Sequence, residues 1–96
     1  MIDNGNRTMD RQTFEDELKR DGYELFTSRT PGAKTNPDHS HPFDARVLVL
    51  EGALTLRSQG TLRTYRAGEV FTMMRGCVHS ESYGPEGAVT LVGRRM

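Results

Sequence analysis

This chain of 96 residues has no tryptophan, one cysteine, three histidines, and no surplus of either charge. A single cysteine excludes an internal disulfide and fits a reducing cytosol. Thirteen basic residues balance thirteen acidic ones, so no net field draws in nucleic acid or an anionic membrane. No stretch approaches the roughly 20 apolar residues of a spanning helix, and the first residues lack the apolar core of a secretion signal. The expectation is a soluble, cytoplasmic protein. With 34% hydrophobic residues the core must be thin. The length allows one domain and no second module. A thin core favours a small barrel or sandwich, with more apolar surface buried between the subunits of a homodimer.

What is present is a row of short apolar segments punctuated by turn residues. Residues 1–11 are polar and aperiodic and are expected to be loose, leaving 12–96 as the folded domain. Thr13 reads as a helix N-cap, with Phe14 and Leu18 on one face of a short helix that Gly22 ends. Residues 23–30 alternate as a strand, and Asn36-Pro37 is a breaker ahead of the histidines. Residues 45–50 form a strand whose unbroken Val-Leu-Val-Leu run predicts burial on both faces. Glu51-Gly52 reads as a turn, residues 53–57 and 61–66 as a hairpin closed at Ser58-Gln59-Gly60, and residues 69–74 as a further strand. Residues 77–83 should be extended, 84–87 a loop, and 88–92 the last strand. Strands this short at this regular spacing predict an all-β barrel or sandwich.

The histidines carry the chemistry. In an extended segment His39 and His41 project to the same side, and the same parity adds Phe43, Ala45, Val47 and Val49. Parity downstream groups Cys77, His79, Glu81 and Tyr83. Imidazole suits Zn, Fe, Ni and Cu, and three nitrogens on one side of an ion leave open positions for water or substrate. Three surface histidines without a metal are the plain alternative.

Residues 32–83 resemble the two motifs of the cupin family of small β-barrels. The first joins a glycine, His-x-His, a glutamate and a closing glycine, matched by Gly32, His39-Ser40-His41 and Gly52, with Ala45 at the glutamate position. The second joins a glycine, Pro-x-Gly, a histidine and an asparagine, matched by Gly68, Gly76 and His79, with Met74 and Tyr83 replacing the proline and asparagine. The resemblance implies a single-domain jelly-roll β-barrel with a short N-terminal helix. It also implies that His39, His41 and His79 are ligands of a divalent transition metal (Fe, Zn, Ni or Mn). The lost glutamate leaves two outcomes: a three-histidine site similar to that of some dioxygenases of the superfamily, or a carboxylate supplied by Glu81. The reading favours three histidines, with Glu81 nearer the rim. An all-neutral ligand set favours an anionic small molecule such as a carboxylate.

The functional expectation is a metal-dependent dioxygenase, or second an isomerase, with Glu81 or Tyr83 handling protons as the catalytic groups. The alternative is a non-catalytic module that binds or senses a small molecule or a metal. Cys77 reads as a half-buried filler and Met73 and Met74 as core and cavity wall. Arg57, Arg63 and Arg66 read as a solvated face. The terminal pair Arg94-Arg95 predicts nothing.

Overall fold

The structure, a computed structural model, describes residues 8–96. Of the stretch expected to be loose, residues 1–7 lie outside the described residues. One helix, α1 (Arg11–Arg20), precedes six strands: β1 (Glu24–Thr30), β2 (Thr35–His39), β3 (Asp44–Ser58), β4 (Thr61–Arg66), β5 (Val70–Met73) and β6 (His79–Arg95). All pairings are antiparallel. The two long strands, β3 and β6, pair from Asp44–Arg95 to Ser58–His79 and are shared by both halves of a jelly-roll barrel. In one half the strand order is β1, β6, β3, β5; in the other it is β2, β6, β3, β4.

The turns expected at Glu51-Gly52 and at residues 84–87 do not end strands. β3 runs through the first for 15 residues and β6 through the second for 17. Register shifts between Val49 and Glu51 and between Gly52 and Leu54 bend the ladder without breaking it. Gly52 has φ +78°, and a side chain there would strike the backbone carbonyl of Gly87. Glycine at this point lets two bent strands approach backbone to backbone. Pro37 likewise sits inside β2 rather than ending it. This strand pairs only with β6, so an edge position tolerates the missing N–H.

The helix starts earlier than its N-cap at Thr13 predicted. Asp10 is the cap, and its carboxylate accepts the Thr13 backbone N–H at 3.0 Å. Phe14 and Leu18 are fully buried, packed with Leu48 and Leu91 on the outside of the barrel. Burying two such side chains stabilises the fold by about 1.5–3 kcal/mol each. Gly93 makes the seat, since a side chain there would meet the Leu18 methyls. The double burial of residues 47–49 follows from this packing. Val47 and Val49 point into the barrel, and Leu48 points out under α1. The cover that suggested a second subunit comes, at Leu48, from the same chain. Among the described residues no helix is long and apolar enough to cross a membrane.

Candidate metal centre

Three elements deliver the three histidines. His39 closes β2, His41 lies in the link to β3, and His79 opens β6 as the register partner of His39. Ring centroids are 4.3 Å apart for His39 and His79, 4.9 Å for His39 and His41, and 5.3 Å for His41 and His79. Each ring offers one nitrogen within 4.8 Å of those of the other two.

The backbone sets the tautomers. His39 donates its Nδ1–H to the Pro37 carbonyl at 2.7 Å, and His79 donates its own to the Cys77 carbonyl at 3.0 Å. In the neutral imidazole this leaves each Nε2 presenting its lone pair, the form a ligand needs. Burial pushes the His41 pKa below the ordinary 6.5, and the neighbouring His39 and His79 push it the same way. Its ring stacks on Phe43 at 4.9 Å.

Glu81 does not stand off at the rim. Its Oε2 lies 3.4 Å from His79 Nε2 and 3.8 Å from His39 Nε2. The other oxygen, Oε1, accepts from Asn36 Nδ2 at 2.8 Å and from the Tyr83 hydroxyl at 3.3 Å. Two imidazole lone pairs and a carboxylate oxygen thus crowd together, which repels unless a proton or a cation lies among them. The donor set fits a divalent transition metal, with His39, His41 and His79 as the residues that would hold it. Ala45, at the position where the resemblance has a glutamate, is a buried part of the wall, and among the described residues Glu81 is the carboxylate within 4 Å of the histidines. Tyr83 is raised above its ordinary pKa by burial first and by the charge of Glu81 second, while a hydrogen bond with Thr30 pulls the other way. It stays a neutral O–H donor.

A cavity of about 250 Å³ opens beside these groups, walled by Phe26, Phe43, Val47, Phe71 and Val92. Met73 is part of that wall as expected, but Met74, one residue past the end of β5 and at the start of the following turn, is 59% exposed. Asp44 points away from the site, where Arg75 grips it through its backbone N–H at 2.9 Å and its guanidinium. Cys77 is half-buried with Sγ 3.3 Å from Ser58 Oγ, and it reaches the site through its carbonyl rather than its sulfur. Two residues that lie against the site carry no functional reading in the sequence. Asn36 was only a strand breaker, and its cross-strand pairing with Glu81 is visible only in the β2–β6 register. Arg94 was only half of a terminal basic pair, although parity along residues 88–94 puts it on the Thr90 and Val92 side, which faces the cavity.

The family profile described as Cupin domain matches residues 26–92. No curated protein matches the chain. Among solved structures, a protein of unknown function from Rhizobium leguminosarum superposes with TM-score 0.71 at 24% identity, over 75% of this chain and 68% of that one. A cupin-2 domain protein from Shewanella frigidimarina gives 0.64 at 20% identity, over 90% of this chain and the whole of that one. The Cnp3 cupin domain of Schizosaccharomyces pombe gives 0.69 at 16%, over 77% of this chain and 56% of that one. At these identities the likeness is one of fold.

Proposed function

Since the chain belongs to the cupin family, we propose that its three histidines hold a divalent transition metal and that Glu81 moves a proton on a small molecule bound beside them, as in an isomerase. The observation that carries the reading is the split role of the Glu81 carboxylate. Asn36 and Tyr83 hold Oε1, while Oε2 is left facing His39 and His79. A carboxylate fixed by one oxygen and free at the other is placed to take a proton from a bound substrate and return it elsewhere.

A bound metal would supply Lewis-acid polarisation of a substrate carbonyl or hydroxyl. The chain supplies the rest. The aromatic wall excludes water from one side of the substrate, and the Phe43 ring backs His41. Glu81 Oε2 removes a proton from a carbon next to the polarised group and delivers it to a neighbouring atom, leaving the carboxylate as it began. Tyr83, a neutral donor, keeps the carboxylate from turning during the exchange.

Deuterium wash-in tests this directly. Small hydroxy-ketones and 2-oxo acids incubated in D₂O with the metal-loaded protein should gain deuterium at the acidic carbon, read by NMR. Glu81→Gln should stop the exchange while still taking up metal on the three histidines, at reduced affinity. Exchange at the same rate in that variant would overturn the role of Glu81, and a protein that takes up no metal would overturn the centre.

The neutral three-nitrogen set favours a second reading, a dioxygenase, in which Glu81 is a bystander to an iron site. Oxygen uptake by Fe(II)-loaded protein that survives Glu81→Gln would select it. A non-catalytic sensing module would show ligand binding with neither exchange nor oxygen uptake.

A further inference from the structure

The reading above treats the histidines as the inner end of a binding site, and the inference here, which rests on it, concerns the outer end. Arg94 pairs across the ladder with Glu24 on one side and with Ala45 on the other. Its guanidinium carbon lies 5.3 Å from the centre of the Phe43 ring and 5.7 Å from that of Phe26. Both rings wall the cavity, and Phe26 is 44% exposed, which marks that side as the mouth. Phe43 also stacks on His41, so a single aromatic ring separates the guanidinium from the histidine cluster.

Two features leave this cation available. Its carboxylate neighbour among the described residues is Glu24 at 3.9 Å, and that side chain is 78% exposed. A pair so open to water is weakly held and readily exchanged. A guanidinium that lies over aromatic faces also keeps its edge N–H donors free, in the planar fork that matches a carboxylate. The cavity beyond it is mostly apolar, with the hydroxyls of Ser28 and Thr90 among its lining besides the histidines and Glu81.

We propose that Arg94 selects the ligand: a small organic carboxylate whose charged group sits on Arg94 at the mouth and whose body lies along Phe43 with its far end at the histidines. The anionic preference then comes from the mouth of the cavity. It does not require an uncompensated charge at the metal, where Glu81 already stands.

The test is the affinity of a matched pair, 4-hydroxyphenylacetate and its amide, for the full-length protein with and without Ni(II), read by saturation-transfer NMR and calorimetry. The acid is expected to bind about tenfold more tightly than the amide. Arg94→Gln should bring the two to equal affinity, and Glu24→Gln, which releases the guanidinium, should tighten the acid and leave the amide unchanged. Equal binding of acid and amide by the unmodified protein, a preference that survives Arg94→Gln, or no binding of either at millimolar concentration would overturn the proposal. Ni(II) titration of the same proteins separates the two claims. Acid preference without metal uptake sinks only the metal centre, and metal uptake without acid preference sinks only Arg94.

Discussion

His39 and His79 are register partners across the β2–β6 ladder, with ring centroids 4.3 Å apart. The pairing ties the site to the edge of the barrel. Among the described residues β2 pairs with β6 and no other strand, so whatever binds these two rings also fastens the edge strand to its neighbour.

Metal binding should therefore raise global stability as well as fill the site. A hundredfold excess of Ni(II) over its Kd is expected to stabilise the fold by about 2.7 kcal/mol. His79→Ala should cost more than about a hundredfold in affinity, exceeding the loss usual for a residue that only orients a ligand. Calorimetric titration and thermal melts check both, and a melting temperature indifferent to metal would contradict the coupling.

The metal-free protein should lose stability in two steps as pH falls. The pKa of His41 is depressed in the folded chain by burial, so below about 6.5 the unfolded chain binds more protons and stability declines. Hydrogen bonds from Arg75 lower the pKa of Asp44, so a second decline begins near the unfolded value of about 3.8 and continues as pH drops through the folded one. Asp44→Asn should shrink the second step, to which Asp21 beside Arg20 also contributes, and leave the first, as read from urea midpoints across the pH range.

α1 gives the third prediction. Phe14 is fully buried and carries the Arg46 guanidinium 5.2 Å above its ring. Phe14→Ala should cost about 3–5 kcal/mol, measured by chemical denaturation. Gly93→Ala should also destabilise, because its methyl would displace Leu18 from its seat.

The sequence was legible where a local rule decided the outcome. Strand parity put His39 and His41 on one face with Phe43, Ala45, Val47 and Val49. In the structure His41, Phe43, Ala45 and Val47 line the cavity, and His39 reaches it against the His41 ring although the chain bends at residues 42 and 43. The run of residues 47–50 announced double burial, and Phe14 and Leu18 announced an apolar helix face, yet nothing local said that one covers the other. Gly52 and Gly87 looked like strand ends because glycine is a turn signal. The pairing of β3 with β6 over their whole length overrode that signal and made them bends. Asn36 stays unread for the same reason. Its contact with Glu81 depends on which residue faces it across a ladder, and a register that shifts at bulges cannot be counted from sequence.

That dependence on register leads to the last prediction, about the two residues that hold Glu81. Asn36 donates to Oε1 at 2.8 Å and Tyr83 at 3.3 Å, so Asn36 makes the shorter and firmer contact. Hydrogen bonds to a charged group are worth about 1.5–3 kcal/mol, and a carboxylate that loses its better donor turns more freely. Asn36→Ala is therefore expected to weaken Ni(II) affinity by about tenfold, within the range usual for groups that orient a metal site. Tyr83→Phe should weaken it less, and the double variant should lose more than either alone, because both donors restrain one oxygen. Equal affinities in all four proteins would mean that the orientation of Glu81 does not matter to the metal, leaving the three imidazoles as the whole of its protein ligand set.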